Sequence, residues 1–302
     1  MFRLKVVGFK RINRLTQRGF NLVEIAIALV ILALALGGVI SAFAPQLANR
    51  GFTTTQAQLV EINEAILAFA AINGRLPCPA TSTSNGRESF CTTAVGAPAQ
   101  CVAAAAPPDG LAAMTSSRGR CSATPNFSYV PAVTLGLVGQ GSSGTVVDAW
   151  GGTIQYVVTA VVNTNTNASP LLITPACGLN PFTCSFSTQT DGIKNAYGNL
   201  AVINQSDLFV CASATGIQPA NCSLTPPNNQ QATPAFIVFS RGRIRSARGT
   251  DEAPNTNADR VFVSHLRTDD DVPPPIGGFD DLFIWTTTSQ LVARMLASKV
   301  LP

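Results

Sequence analysis

The chain has 302 residues, of which 46% are hydrophobic and 12% are charged, and this composition favours a folded protein with a substantial core over an intrinsically disordered one. Its formal net charge of +4 comes from a basic N-terminal tail, because six lysines and arginines and no acidic residue precede Phe20. Without that tail the chain is net negative, so its overall charge does not indicate a nucleic-acid-binding protein.

A long apolar segment follows the basic tail. No charged residue lies between Ile25 and Asn49, and a helix of that length can cross a hydrocarbon core of ~30 Å. The cations before the segment place the N-terminus in the cytoplasm and the rest of the chain across the membrane. Glu24 lies near the start of the segment, where a carboxylate in a bilayer is unfavourable and suggests a function.

Two ordinary explanations of the apolar segment stay open. One is a secretory signal with an Ala-Phe-Ala cleavage site at residues 42–44, which would leave Pro45 as the first mature residue. The other is an uncleaved signal anchor. Neither explains Glu24 or the Arg-Gly-Phe junction at residues 18–20.

The segment RGFNLVEIAIALVILALALGGVI resembles the N-terminus of type IV pilins and of type II secretion pseudopilins. The resemblance implies that prepilin peptidase cleaves after Gly19, that Phe20 becomes the methylated N-terminus and that Glu24 is the acid at the fifth mature position. It also implies a cleaved basic leader over residues 1–19, a transmembrane and stem helix over 20–73, and a globular head over 74–302. The leader is longer than in many members of the family.

The resemblance gives Glu24 a physical role in assembly. Cleavage before Phe20 creates a cationic amine at the edge of an apolar helix, and an unpaired cation inside a bundle of such helices is costly. Glu24 of a neighbouring subunit can neutralise that amine, and the pair would set the register between successive subunits.

An amphipathic stem is predicted to continue the helix beyond Pro45. Its apolar residues recur at helical spacing, whereas polar residues occupy other positions around the helix. Asn73 and Gly74 form a typical helix stop. The predicted buried face contains Leu59, Ile62, Ile66 and Phe69, and the polar positions are Gln58, Glu61 and Glu64.

The region after the stem contains eight cysteines, and an even number in an exported region predicts disulfides. Residues 80–125 are rich in small and turn-forming residues and predict an irregular region held by disulfides. Short loops close readily, so we expect local pairing. The expected pairs are Cys177 with Cys184, Cys211 with Cys222, Cys91 with Cys101, and Cys78 with Cys121.

Short β-rich runs separated by turn residues predict an antiparallel sheet packed on the stem. A final helix is predicted with Thr288 or Ser289 as its N-cap. The fold class is therefore α+β, pilin-like, with loops held by disulfides. The predicted strands cover 153–162, 199–204, 207–212, 235–240, 260–266 and 282–287, and the apolar face of the final helix contains Leu291, Val292, Met295 and Leu296.

Two further stretches resemble the same broad family. DAWGGTIQY at residues 148–156 is similar to an Asp-x-Trp-Gly segment ending in Tyr in the heads of major pseudopilins. FDDLFIW at 279–285 resembles a motif near the C-terminus of some minor prepilin-like proteins.

No enzyme motif is present. GQGSSG at residues 139–144 fits a dinucleotide-loop pattern, but the residues after it do not predict a helix, so a loop is the preferred interpretation. His265 is the single histidine and alternates with apolar residues, which favours a strand side chain over a ligand or catalytic base. We predict no catalytic residue.

An arginine-rich strip at residues 240–252 is the remaining charged feature. It could contact phosphates or an acidic partner, but without interleaved aromatic residues it indicates a soluble edge rather than a nucleic-acid site. The acidic loop after it offers hard oxygen ligands. Some pseudopilins hold calcium near this point of the head, which makes Asp251 and Asp259 weak candidates for a structural calcium ion; no other cofactor is expected.

These features together predict a structural subunit of a type IV pilus or type II secretion pseudopilus, and a minor one because the head is large. The implied partners are prepilin peptidase, other pilin-like subunits and an inner-membrane assembly platform. The subunit would be held in the bacterial inner membrane, with its head in the periplasm, before entering the fibre. The rival hypothesis is a periplasmic binding protein tethered by an uncleaved anchor.

Overall fold

A computed structural model describes residues 21–92, 100–103, 120–121, 128–141, 143–159, 186, 192–193, 206, 208–218, 221–223, 230–243, 249–257, 259–268 and 277–301. For residues 36–48, 90–92, 100–103 and 120–121 it describes the backbone alone. The chain forms two compact units, Met1–Asn49 and Arg50–Pro302. The boundary lies within the first helix, so the second half of that helix belongs to the same unit as the head.

The described secondary structure combines helices with short strands. Helix α1 spans Leu22–Asn73, a 3-10 turn spans Ala253–Thr256 and helix α2 spans Thr288–Ala297. The strands are β1 Ser89–Thr92, β2 Gln100–Ala103, β3 Arg120–Cys121, β4 Gln155–Val158, β5 Phe209–Cys211, β6 Gln230–Ala232, β7 Pro234–Ser240, β8 Val261–Val263 and β9 Leu282–Thr287.

Both predicted helix boundaries can be checked. Helix α1 ends at Asn73 as predicted, and Gly74 follows with φ of 65° while its amide donates to the Ala70 carbonyl at 2.9 Å. The predicted N-cap of α2 is wrong by one residue. Thr287 is the cap, and it forms a capping box with Gln290 because each side chain accepts a hydrogen bond from the other residue's amide.

The described strands form three three-stranded sheets, with the orders β2-β1-β3, β4-β7-β9 and β6-β5-β8. All of their strand pairs are antiparallel except β5 and β8, which run parallel with Phe209 opposite Val261. The head therefore differs from the uniformly antiparallel sheet that was expected. The expectation of an irregular region over residues 80–125 is also wrong, because β1, β2 and β3 lie there and pair as one sheet. Five of the six predicted runs contain a strand, and the sixth, 199–204, lies outside the described residues.

The central sheet, β4-β7-β9, is covered on both faces. Tyr156 and Phe236 belong to the cluster that contains the stem of α1, whereas Val157 and Ile237 belong to a second cluster with residues of β5 and β8. Every residue of β7 is buried, which explains why this strand is a continuous apolar run without alternation.

The predicted apolar faces of the helices largely match the observed burial. On the stem, Leu59, Ile62 and Ile66 are buried, but Phe69 is only partly buried, with the Arg75 guanidinium 5.0 Å from its ring centroid. On α2, Leu291 and Met295 are buried, Val292 is partly buried and Leu296 is 40% exposed. The less buried members lie at the edge of each apolar stripe.

One predicted disulfide is confirmed. Cys211 and Cys222 are bonded, with their Cα atoms 5.4 Å apart. Cys78 is also disulfide-bonded, and none of the cysteines described is free.

The other predicted pairings remain predictions. The register of β1 and β2 places Cys91 directly opposite Cys101, which is compatible with the predicted pair. Only the backbone of Cys121 is described, whereas Cys177 and Cys184 lie outside the described residues.

Candidate functional site

The start of α1 is the segment for which the sequence predicts an assembly role. Gly19 and Phe20 lie outside the described residues, so the predicted processing site has no structural description. The helix begins at Leu22, and the Asn21 carbonyl accepts hydrogen bonds from the Glu24 amide at 2.9 Å and the Ile25 amide at 3.2 Å. Glu24 lies in the first turn and is exposed.

Apolar side chains cover the first turns of α1 on all sides. The exposed fraction ranges from 48% for Ile25 to 83% for Leu22. Nine large apolar residues share this exposure: Leu22, Val23, Ile25, Ile27, Leu29, Val30, Ile31, Leu32 and Leu34. A helix that is apolar all round normally contacts other helices or lipid, because water solvates such a surface poorly.

Within the described part of the chain, no helix meets the combined requirements of length and apolarity for crossing a membrane.

The DAWGGTIQY segment is a tight turn organised by Asp148. One carboxylate oxygen, Oδ1, accepts from the Trp150 amide at 2.9 Å and the Gly152 amide at 2.6 Å, and Oδ2 accepts from the Ser240 hydroxyl at 2.7 Å. Asp148 is 5% exposed. The carboxylate thus ties the turn to the end of β7.

This turn contacts the stem of α1. The Trp150 ring meets Phe52 edge-on, with ring centroids 4.7 Å apart, and the Ala149 amide donates to Thr55 Oγ1 at 3.2 Å. Farther along, the Tyr156 hydroxyl donates to the Pro77 carbonyl at 2.9 Å. The segment therefore connects the central sheet to both the stem helix and the chain that follows it.

Two acidic residues of the FDDLFIW segment, Asp280 and Asp281, lie close to a third buried acid, Glu252. The Glu252 carboxylate accepts a hydrogen bond from the Asp280 amide at 2.9 Å, and Asn255 Nδ2 donates to Asp281 Oδ2 at 2.8 Å. Glu252, Asp280 and Asp281 are 2%, 4% and 8% exposed. We call these three residues the acidic cluster.

Burial dominates the electrostatics of Asp281 in the acidic cluster. Loss of solvation is the main cause that raises the pKa of Asp281 to about 8, and the negative charges of Glu252 and Asp280 contribute in the same direction. The Asn255 hydrogen bond and the Arg241 guanidinium act in the opposite direction. Asp281 is consequently protonated over most of the neutral range.

The start of the arginine-rich strip folds against the acidic cluster. The Arg243 amide donates to Asp280 Oδ2 at 3.1 Å, and a β-carbon on Gly242 would lie 2.3 Å from the Asp280 carbonyl oxygen. Gly242 has φ of 63°, which favours glycine. Burial lowers the pKa of the Arg241 guanidinium, although Asp281 opposes that shift. Arg241 therefore belongs to an internal charge network.

The acidic cluster is also the one set of described residues that could hold a metal ion. Each member offers a carboxylate oxygen, and these oxygens lie within 4.8 Å of one another. Hard cations such as Ca²⁺ prefer such ligands. The candidate metal site predicted from the sequence lay in the adjacent loop and did not include Asp280 or Asp281. The signal that could have identified them is a pair of consecutive acids directly before an apolar strand.

The predicted calcium ligands Asp251 and Asp259 have different hydrogen-bond partners, and neither belongs to the acidic cluster. Asp251 Oδ1 accepts from the Ala214 amide at 2.7 Å. Asp259 Oδ1 accepts from the Val261 amide at 2.9 Å and Oδ2 accepts from Asn257 at 2.6 Å. Burial raises the pKa of Asp259 despite these hydrogen bonds. The Asp259 carboxylate holds a local turn, whereas the Asp251 carboxylate accepts the amide of a residue that is distant in sequence.

Two other predictions from the sequence have clear outcomes. No helix begins in the described residues 143–159, and the described residues of GQGSSG lie in a loop as predicted; the Gln140 and Gly141 amides both donate to the Thr145 carbonyl. The placement of His265 inside a strand is wrong, because β8 ends at Val263.

Comparison of the chain with family models, with curated proteins and with solved structures gives no match.

Proposed function

We propose that the chain is a structural subunit, and a minor one, of a type IV pilus or type II secretion pseudopilus. The observation that carries this proposal is the exposed apolar surface over the first turns of α1, in which Glu24 is the only charged side chain. Such a surface requires partner helices or lipid, and a single carboxylate within it requires a cation.

The second half of α1 supports the same proposal. Leu59, Ile62 and Ile66 belong to the core of the head, so this part of the helix is packed while the first part is exposed. One continuous helix with a packed half and an exposed apolar half suits a subunit that assembles through its helix and presents its head. In this proposal the subunit acts by assembly and catalyses no reaction.

The proposed life cycle follows from the N-terminal segment. Prepilin peptidase cleaves after Gly19, the amine of Phe20 is methylated, and the subunit waits in the inner membrane with its head in the periplasm. An assembly platform then transfers it into the fibre, where Glu24 pairs with the Phe20 amine of a neighbour. The large head suits a subunit that initiates assembly, forms the tip of the fibre or lies along its side.

Mass spectrometry of the mature N-terminus tests this proposal. A methylated Phe20 is expected for a fibre subunit. An intact Met1 would instead support the tethered binding protein, and an N-terminal Pro45 would support a secreted protein. Recovery of the chain in sheared fibres, together with other pilin-like subunits, is the second expected result; its absence there despite correct processing would contradict the assembly role.

A further inference from the structure

Three side chains from different segments of the head meet at the start of the stem. The Phe52 ring meets the Trp150 ring edge-on, with centroids 4.7 Å apart, and the Arg267 guanidinium lies 4.0 Å from the Phe52 ring centroid. Leu266 precedes Arg267 and is 89% exposed. We call Phe52, Trp150, Leu266 and Arg267 the boundary patch.

The boundary patch combines residue types that suit the surface of a bilayer. Phe52 and Trp150 are partly exposed aromatic residues, whereas Arg267 is an exposed cation. Tryptophan is enriched where a membrane meets water, because its ring has an apolar body and a polar N–H. A guanidinium forms strong hydrogen bonds with phosphate oxygens. A single exposed leucine needs no explanation, but Leu266 adds apolar surface to this group.

The connection of the chain determines where the patch would lie in a membrane-held subunit. The uncharged run from Ile25 to Asn49 is ~37 Å long as a helix at ~1.5 Å per residue. A hydrocarbon core is ~30 Å thick, so a run of this length extends into the headgroup layer. Arg50 is the first charged residue after the run and is exposed. Phe52 follows Arg50 by ~3 Å along the helix, which confines its neighbours to the same level.

The charges around the patch favour local phosphate contacts over a general attraction to anionic lipid. The described segments 49–56, 149–151 and 264–268 contain no acidic residue. Three aspartates follow in the sequence at 269–271, outside the described residues, and they outnumber Arg50 and Arg267. A net cationic field is therefore not expected, but each guanidinium can still bind the phosphate of a zwitterionic lipid.

We propose that the boundary patch docks on the headgroup layer of the membrane, with Leu266 and the two aromatic rings at the interface and with Arg50 and Arg267 on lipid phosphates. This inference rests on the proposed function, because it requires the apolar run to be held in a bilayer. The contact would hold the head against the membrane before assembly, and it would be lost when the subunit enters a fibre.

The two tryptophans of the chain provide a reporter and an internal reference. Trp285 adjoins Thr286, whose hydroxyl donates to Asn63 Oδ1 at 2.9 Å. Asn63 is ~16 Å farther along the stem than Phe52, at ~1.5 Å per residue. Trp150 should therefore lie at the interface, whereas Trp285 should lie beyond the headgroup layer.

Depth-dependent quenching by brominated lipid measures this difference. The full-length variants Trp285→Phe and Trp150→Phe each retain one tryptophan. Both are reconstituted into phosphatidylcholine vesicles that contain phosphatidylcholine brominated at the headgroup end of its acyl chains. We expect the bromines to quench Trp150 and to leave the emission of Trp285 unchanged. If Trp285→Phe does not fold, the difference between the wild type and Trp150→Phe gives the Trp150 signal.

Substitutions in the patch should move the reporter away from the lipid. Arg50→Gln, Leu266→Ser and Arg267→Gln, combined in the chain that retains Trp150, should remove most of its quenching. The matched control is Arg294→Gln with Leu296→Ser, which removes an exposed arginine and an exposed leucine from α2. This control should leave the quenching of Trp150 unchanged.

Flotation of the vesicles separates failure of this inference from failure of the proposed function. A chain that does not float with the vesicles is not held in the membrane and contradicts both. A chain that floats while Trp150 is quenched no more than Trp285 overturns the lipid contact alone and assigns the patch to a protein partner. Equal loss of quenching in the patch and control variants also overturns the lipid contact.

Discussion

The Trp150 indole packs directly on the backbone of Gly51, so that a β-carbon at residue 51 would lie 2.8 Å from its Cζ2 atom. This contact places the DAWGG turn against the stem helix, where Phe52 also meets the indole. Glycine weakens a helix relative to alanine, by roughly 1 kcal/mol. Its presence here is explained by the close approach of the ring.

Gly51→Ala should therefore destabilise the protein, although alanine is the better helix former. Overpacking costs about 1–3 kcal/mol and exceeds the helical gain of about 1 kcal/mol, so a net loss of about 1 kcal/mol is expected. Denaturant unfolding of the full-length chain measures it. In a Trp150→Ala background the same substitution should become stabilising, and a loss of equal size in both backgrounds would contradict the contact.

Asp281 should make stability depend on pH. The folded state retains its proton up to about pH 8, whereas the unfolded chain releases it near the ordinary pKa of 3.8, so the free energy of unfolding decreases as pH rises between these values. The full effect is on the order of a few kcal/mol. Asp281→Asn keeps an acceptor for Asn255 and should flatten the profile in this window.

Glu61→Gln is the matched control for Asp281→Asn. Glu61 is an exposed acid on the stem, so removing its charge should leave the pH profile of denaturant unfolding unchanged. A profile that keeps its full slope in Asp281→Asn would show that Asp281 is ionised in the folded head.

Arg75 and Glu88 form a buried bidentate ion pair just after the stem. The two guanidinium nitrogens lie 2.8 Å from the two carboxylate oxygens, and Glu88 also accepts the Cys78 amide at 3.1 Å. Removing one partner of a buried pair leaves the other charge without compensation. Glu88→Gln should therefore destabilise the head by about 3–5 kcal/mol in denaturant unfolding.

The chain offers an exposed pair for comparison. Arg294 and Glu64 are 2.9 Å apart, but their side chains are 57% and 54% exposed. Glu64→Gln should cost no more than about 1 kcal/mol, because solvent screens this pair. Similar losses for Glu64→Gln and Glu88→Gln would mean that Arg75 and Glu88 are solvated.

Several features of the head were predicted from the sequence because each of them is determined by interactions between residues that are close in the chain. The stop at Asn73, the strands at 235–240 and 282–287, and the pairing of Cys211 with Cys222 each depend on a few neighbouring residues. The capping box shows the limit of this approach. Thr287, Thr288 and Ser289 all suit an N-cap, and the reciprocal bond with Gln290 decides among them.

The acidic cluster could not be predicted in the same way. Glu252 and Asp280 are 28 residues apart, and Arg241 of a third segment interacts electrostatically with Asp281. No local sequence pattern indicates that these acids are buried next to one another. The parallel pairing of β5 with β8 is likewise a property of the tertiary fold, because both strands have the composition of ordinary antiparallel strands.

The assembly role of Glu24 can be separated from the processing role of Gly19. Glu24→Gln preserves size and polarity but removes the charge, so membrane insertion and leader cleavage should persist while recovery in sheared fibres falls. Replacing Gly19 with a bulky residue should block cleavage and leave the longer precursor in the membrane. A single gel of membrane and fibre fractions distinguishes the two lesions by mobility and location.

The direction of the Glu24 effect follows from desolvation, and its size depends on the water content of the helix bundle. An unpaired Phe20 amine would be costly in a dry bundle and much less costly in a wet one, where the effective dielectric constant is higher. A Glu24→Gln variant that is cleaved and enters fibres at the wild-type level would contradict the proposed ion pair between Glu24 and the Phe20 amine. A second variant, Glu24→Asp, tests whether the length of the side chain matters. It keeps the charge on a shorter side chain, so partial incorporation into fibres is expected if the carboxylate must reach a neighbouring amine.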